Sequence, residues 1–416
     1  MRFKAKITDK ETSWDYKISF YVVFYFFAEI ANATIKTVFP IPDSLWAPLS
    51  ALWGVVIIFL MLRSIKFVYK RSSTIIINSL YLFIFIYSLS LAMILLREEP
   101  LQAFWRGTVL MTFAWWIPVG VSACSVKNKQ ILYDVFLKWS YPMSILLFAC
   151  VFFRRSDGLM PGETEYNMFF GFHIVVPALF HINEFYRSHN KKILFFFIFE
   201  LLLIIIYANR GSLLPFAFYF FYKYALQPNV SSIIRVWKSS ILLFSVFLVV
   251  VFSHGITNVI SSLAEELNIK SRTLAMIEEG NILNPTGRDQ LSDISWNMIM
   301  EKPILGWGLG GEYYRIAEEL GQQTIGETKV AFTPHNGLLE FLISFGLLGG
   351  SIACLLFIIP ALRINIIKDT YCAYLILIFS SAFLIPGIIS ADGLLVKPGA
   401  AIYLYLFYTY KRNSTY

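Results

Sequence analysis

Long apolar runs alternate with short polar segments from one end of the chain to the other. A helix that crosses a hydrocarbon core needs about 17 to 25 mostly apolar residues. Twelve stretches meet or approach that length: 17–39, 45–62, 74–96, 104–126, 131–153, 166–186, 192–208, 212–226, 237–254, 336–362, 371–389 and 398–411. Residues 208–212 bring Asn, Arg, Gly and Ser together between the seventh and eighth runs, so these read as two helices rather than one overlong helix. The pattern predicts an all-α, polytopic integral membrane protein of about 12 transmembrane helices with a large helical loop on the outer face. Its expected domains are a membrane domain of about nine helices (1–254), an extracytoplasmic lid or catalytic loop (255–335) and a membrane domain of about three helices (336–416).

Composition narrows the class. Of the 416 residues 57% are apolar, 17% aromatic and only 15% charged, which excludes an ordinary soluble domain, a disordered chain and a disulfide scaffold. The four cysteines, Cys124, Cys150, Cys354 and Cys372, fall in apolar runs and read as small buried hydrophobes. A net charge of +8 does not point to nucleic acid, because the basic residues sit in short clusters between apolar runs rather than along one face. The partner they imply is the lipid bilayer. The first apolar run is too long for a signal segment and no small-residue cleavage site follows it, so it is expected to stay as an anchor.

Lys and Arg in short loops are retained on the cytoplasmic side. Alternate loops on one side hold Arg2, Lys4, Lys6 and Lys10, then Arg63, Lys66, Lys70 and Arg71, then Lys127 and Lys129, and the bias continues to Lys411 and Arg412. The short loops of the other side hold few cations, among them Arg97, Arg154, Arg155, Arg210 and Lys397. Both termini are therefore expected in the cytoplasm, and residues 255–335 outside. Within that segment, helical spacing predicts helices over 258–279, 287–301 and 312–320, with Trp296 and Trp307 suited to the membrane interface.

The run Lys302-Pro-Ile-Leu-Gly-Trp-Gly-Leu-Gly-Gly311 follows a helix and a proline, not a strand, so it is a tight bend and not a dinucleotide fingerprint. Its glycines also permit a nest of backbone amides open to an anion. Directly after it, Thr333-Pro334-His335-Asn336 stands where the outer segment enters an apolar run, followed by Gly346 and Gly349.

At this point the sequence resembles the O-antigen polymerase and O-antigen ligase superfamily, in which His-Asn is followed at this spacing by Gly-x-x-Gly. Gly287-Arg288, Trp296 and Pro303-Ile-Leu-Gly-Trp-Gly look like the family's run before that histidine, and Asn209-Arg210-Gly-Ser-Leu-Leu214 resembles its arginine element at an outer helix end. Arg288 departs from the pattern of many ligases, since Leu291 follows it one residue early. The resemblance implies a bacterial cytoplasmic-membrane glycosyltransferase acting on the outer face. Its substrates would be a polyprenyl-diphosphate-linked oligosaccharide and a glycan acceptor, with a chain-length regulator as a further partner and no nucleic acid.

The residue chemistry fits that expectation. Arg210, Arg288 and His335 all fall on the outer side of a topology built from charge bias alone. An arginine fork makes paired, charge-assisted hydrogen bonds to a diphosphate, and a neutral histidine can take a proton from an acceptor hydroxyl. The expected catalytic set is His335, Arg288 and Arg210. Arg210, Arg288, Asn336, Arg154, Arg155 and Glu165 are the expected substrate-binding residues. Each arginine also reads as an interfacial side chain, His335 as a helix-end histidine, and Glu163 and Glu165 as solvated loop carboxylates.

The scheme needs no nucleotide, metal or other cofactor, because the lipid diphosphate is already a good leaving group. His173, His181, His189 and His254 form no convincing ligand set, and Glu29 is an intramembrane polar residue of the kind that marks a pathway. Polymerisation of lipid-linked repeats is the favoured activity, ligation of the finished glycan to an acceptor such as lipid A-core the second. Non-enzymatic transport of the lipid-linked glycan is the third, and no repeated half supports it.

Overall fold

A computed structural model describes residues 10–38, 42–96, 101, 103–152, 168–207, 210–225, 288–321, 324–325, 328–329, 332–389 and 397–413. In chain order the α-helices are α1 (Lys10–Val38), α2 (Asp43–Leu95), α3 (Ile117–Ser125), α4 (Lys129–Phe152), α5 (Met168–Ser188), α6 (Lys191–Tyr207) and α7 (Leu214–Ala225). They continue with α8 (Arg288–Glu301), α9 (Glu312–Glu319), α10 (Gly337–Leu362), α11 (Thr370–Phe379), α12 (Ile385–Ile389) and α13 (Pro398–Asn413). Wider π-helical turns at Ala103–Val109 and Thr112–Trp116 lead into α3, and another at Ser380–Leu384 joins α11 to α12. Thr324–Ile325 and Thr328–Lys329 form a two-residue antiparallel ladder, a small departure from the all-helical expectation.

Apart from α8 and α9, the described helices fall on the expected apolar runs, and the run 237–254 lies outside the described residues. Four of the helical stretches are long and apolar enough to cross a membrane: Ser44–Leu95, Lys129–Ala149, Gly337–Leu362 and Thr370–Ile388. The protein is an integral membrane protein. The expected second and third spans are one helical stretch, α2, broken at Ser72 (φ −138°, ψ 24°), beside the predicted basic turn.

The chain divides into two compact units, one of Met1–Val22, Leu62–Lys129 and Pro285–Tyr416, the other of Val23–Met61 and Gln130–Asn284. In the first, α13 packs on α3, where a side chain at Gly120 would lie 2.2 Å from the Tyr405 ring. Tyr405 also stands edge-on to Trp116 and donates from its hydroxyl to Ser79 at 2.6 Å. Near the Ser72 break, Arg71 pairs with the buried Asp15, whose carboxylate also accepts from the backbone N–H groups of Lys127 and Asn128 at 3.0 Å. At the other end of that half of α2, Gly308 and Gly311 approach Ser90 and Ile94. The glycine run and the basic turns thus sit at opposite ends of a helix of about 23 residues, roughly 34 Å at 1.5 Å per residue.

The largest difference from the sequence pattern concerns 336–362, expected as one span. Helix α10 breaks at Gly346 (φ 70°, ψ −178°) and doubles back. A straight helix separates residues eight apart by about 12 Å, yet a side chain at Gly350 would lie 2.6 Å from the Cα of Leu342. The Phe341 and Phe357 rings meet at 4.9 Å, and Cys354 Sγ reaches the Leu338 carbonyl at 3.7 Å. The run is therefore a helical hairpin, and its first arm, 337–345, is too short to cross a bilayer.

The second unit is built on aromatic packing between α1, α4 and α5, with Phe26, Phe27 and Phe136 in mutual contact and Phe180 stacked on Phe136. Asn183 joins two buried tyrosines, donating to Tyr133 at 2.9 Å and accepting from Tyr219 at 2.8 Å. In its interior, His181 Nδ1 faces both oxygens of Glu200 at 2.9 and 3.0 Å, and Ser144 donates to the same carboxylate. Tyr141 and Phe196 pack on the histidine ring.

Candidate functional site

A helix break leaves backbone groups without intrahelical partners, and inside a fold each must find another. In α10 the Pro303–Gly308 run supplies them. Trp307 N–H donates to the Ile343 carbonyl at 2.8 Å, Gly308 N–H to the Ser344 carbonyl at 2.9 Å, and Leu347 N–H to the Pro303 carbonyl at 2.7 Å. The contact is backbone on backbone. A Cβ at Gly306 (φ 69°) would lie 2.4 Å from the Ile343 oxygen, and one at Gly346 would lie 2.4 Å from the Ile304 oxygen, so glycine is required at both by space and by φ. The expectation of a nest open to an anion is corrected here, because the amides of Trp307 and Gly308 are consumed by the hairpin.

The Trp307 ring is buried and donates from Nε1 to the Met298 carbonyl at 3.0 Å, placing it inside the fold and not at the interface expected for it. It joins Ile294, Met298, Ile299, Ile316 and Ile343 in one apolar cluster that seats α8 and α9 on the hairpin. Burial of each such side chain contributes roughly 1.5 to 3 kcal/mol. Trp296, on α8, is 47% exposed. Helices α8 and α9 begin and end within a residue of the positions expected, and the helix expected over 258–279 lies outside the described residues.

At the foot of the first hairpin arm stand His335 and Asn336. His335 is exposed and holds φ 52°. Left-handed backbone is uncommon outside glycine and costs of order 1 to 3 kcal/mol, so its surroundings must impose it. Two features do. Asn336 is the N-cap of α10, its Oδ1 accepting from Leu338 N–H at 3.0 Å and Leu339 N–H at 3.2 Å. Phe332 N–H donates to the Tyr313 carbonyl at 3.0 Å, tying the approach to His335 onto α9. Asn336 therefore shapes the backbone around His335, with its carbonyl oxygen already engaged.

Two buried carboxyl groups lock α9 to the hairpin. Glu312 accepts from Ser344 Oγ at 3.0 Å, and Glu340 accepts from Tyr313 Oη at 2.9 Å. The second oxygen of Glu312 has no partner among the described residues. Burial, reinforced by the nearby Glu340 charge, raises the Glu312 pKa to about 8, so the group is held protonated at neutral pH. Neither carboxyl was singled out in the sequence; the usable signal was an acid placed directly after a glycine run and another in the first turn of an apolar helix.

Residues 193–354 match the model of the O-antigen ligase family. Over this segment the chain is similar to that family. The O-antigen ligase match supports the broader polymerase and ligase superfamily, and with it a membrane glycosyltransferase acting on a lipid-linked oligosaccharide and a glycan acceptor. No curated protein and no solved structure gives a significant match. The O-antigen ligase segment contains Arg210, Arg288, His335, Asn336, Gly346 and Gly349, and excludes Arg154, Arg155 and Glu165.

The expected site residues distribute unevenly. Arg288 is the first residue of α8, in the unit that holds His335 and Asn336. Arg210 opens the single turn Arg210–Ser212 between α6 and α7, the separation predicted for those helices, and belongs to the other unit. Arg154, Arg155, Glu163, Glu165 and His254 lie outside the described residues. His181, passed over as a ligand, instead pairs with Glu200. Among the described residues no group of three or more His, Cys, Asp and Glu side chains is placed to hold a metal ion.

Proposed function

We propose that the protein polymerises polyprenyl-diphosphate-linked oligosaccharide repeats into a surface polysaccharide, an O-antigen, capsule or exopolysaccharide, on the outer face of the bacterial cytoplasmic membrane. The reaction is metal-independent and inverting. His335 takes the proton of an acceptor hydroxyl, whose oxygen attacks the anomeric carbon of the lipid-linked glycan. The bond from that carbon to the diphosphate breaks, and the polyprenyl diphosphate leaves with the bonding pair. Arg210 and Arg288 hold the charge that develops on it.

The observation that carries this reading is His335 itself, an exposed histidine held in left-handed backbone by a cap and a backbone tie within the family-matched segment. The outer-face assignment draws support from the glycine run lying at the end of α2 opposite the basic turns. Arg154, Arg155 and Glu165 are kept as outer-face contacts to the lipid-linked substrate, and Asn336 contributes through the amide nitrogen left over by its capping role. The reading keeps two membrane domains, 1–254 and 336–416, and a 255–335 lid, with 336–362 contributing a hairpin in place of one of the twelve expected spans.

Ligation to a second acceptor is the other reading, favoured by the family's own description as O-antigen ligase. Purified protein incubated with a defined lipid-linked repeat separates them. A regular ladder of products is expected for the polymerase, whereas transfer only on addition of a second acceptor would identify the ligase. In single-turnover transfer with saturating donor, His335→Gln is expected to lose about 100-fold or more in rate. A variant as fast as the parent across neutral pH would remove His335 as the base under either reading.

A further inference from the structure

On the basic side of the first unit, helix ends gather around a cavity of about 710 Å³. Lys70, Arg71, Lys127 and Lys129 line it, against only two carboxylates, Glu11 and Asp369. All of these residues lie outside the segment matched to the O-antigen ligase family, so the cavity is unrelated to the His335 site.

Most of these charges already have work within the fold. Lys129 donates from Nζ to the carbonyls of Ala123, Cys124 and Val126, closing the end of α3. Lys127 pairs with Glu11 at 3.0 Å in an exposed contact, and Asp369 caps α11 through its Oδ1. Two cations are left with capacity. The Lys70 ammonium rests over the Trp14 ring at 5.4 Å, which leaves its N–H donors available to an anion. Arg71 is the more telling residue. Its side chain is only 8% exposed, and its terminal nitrogens serve Asp15 and the carbonyls of Ser125 and Glu11. Its buried Nε has no acceptor among the described residues.

A buried guanidinium N–H without an acceptor is costly, and an anion that supplies one is bound correspondingly well. The excess of cations over carboxylates in a partly enclosed space sets the sign of that ligand. An oxygen-rich, multiply charged group answers both demands, and arginine with lysine is the usual pairing for phosphate. We propose that this cavity binds a phosphate-bearing anion, with Arg71 and Lys70 as its ligands. The headgroup of an anionic phospholipid and free phosphate share this chemistry.

The test uses the full-length protein in nanodiscs, reading the midpoint of thermal unfolding. Stabilisation by phosphatidylglycerol over phosphatidylcholine assigns the site to a lipid headgroup. Stabilisation by inorganic phosphate in phosphatidylcholine nanodiscs, with ionic strength held constant by chloride, assigns it to free phosphate. Arg71→Lys keeps a charge facing Asp15 but removes Nε, and Lys70→Gln removes the cation over Trp14. The apparent affinity for the stabilising anion is expected to fall about tenfold in each. Should Arg71→Lys fail to fold, Lys70→Gln decides. A loss of affinity in either folded variant supports the site, and the proposal is overturned if neither probe stabilises the parent or if every folded variant responds as the parent does.

Discussion

The hairpin of α10 and the interior of the second unit both bury polar groups among apolar helices, and they satisfy them by different means. In the hairpin the groups are backbone carbonyls and amides released at Gly346, and they are met by the backbone of Pro303–Gly308. In the second unit they are side chains, Glu200 against His181 and Ser144, closed off by Tyr141 and Phe196. Backbone pairing at that range demands glycine at fixed places and so writes a motif. Side-chain pairing asks only for one acid and partners on separate helices. Glu312 adds a third means: beside the Ser344 hydroxyl and the backbone of Glu312 and Gly310, with another carboxyl nearby, it is neutralised by keeping its proton.

The sharpest way to break the backbone arrangement is Gly346→Val. A β-branched residue at φ 70° is strained, and its Cβ would collide with Ile304. Loss of folded protein in detergent, scored by size-exclusion profile, is the expected result. A Val variant that elutes and melts like the parent would mean the hairpin is not the native form.

The side-chain arrangement should break less completely. His181→Leu leaves the buried Glu200 with the Ser144 hydroxyl but without its histidine, and removing one partner of a buried pair typically costs about 3 to 5 kcal/mol. Replacing both residues, His181→Leu with Glu200→Leu, is expected to recover most of that loss, because apolar substitutes remove the demand instead of leaving it unmet. Thermal midpoints of the two single variants and the double variant measure the coupling. Additive losses would show that the two side chains act independently.

Glu312 gives a pH signature. A carboxyl whose pKa is raised to about 8 in the folded protein binds a proton there that the unfolded chain has released above its ordinary pKa near 4.5. Stability should therefore decline as pH rises from about 4.5 to about 8 and level off above it, this group's share amounting to a few kcal/mol. Glu312→Gln should flatten that decline while keeping the Ser344 contact. An unchanged pH slope in the variant would place the titration elsewhere.

The mildest test is Trp307→Phe, which keeps the ring in its cluster and removes the Nε1 bond to Met298. That bond is worth about 1 kcal/mol, with up to 1 to 3 kcal/mol if the carbonyl is left dry. A midpoint shift as large as that of His181→Leu would assign the indole a weightier part than its one hydrogen bond.

These contrasts explain what could be seen in the sequence. Helix positions were legible because twenty-odd apolar residues have few other uses, and α8 and α9 because their apolar spacing and the stop at Pro303 are local signals. The doubling back of 337–362 was hidden, since hydropathy counts apolar residues and is blind to a single φ at Gly346. Its partner segment lies some forty residues earlier, beyond the reach of any periodicity. His335 and Asn336 were visible as a motif, but the left-handed turn and the capping bond that give the pair its shape were not. The Glu200 pairing leaves only a lone acid in an apolar run, with its histidine on a separate helix nineteen residues earlier.

The Gly346 bend also bears on how the chain is made. Insertion machinery weighs a passing segment by its apolar content, and residues 337–362 would be taken for a single crossing helix. The clasp at Pro303–Gly308 is synthesised first, so it is already present when Ile343 and Ser344 emerge, and the hairpin can close before its second arm is complete. Closure draws the His335 end of the first arm alongside Cys354, about nine residues or roughly 14 Å back from the bend. The place of the candidate base beside the second arm thus follows from a glycine eleven residues away from it.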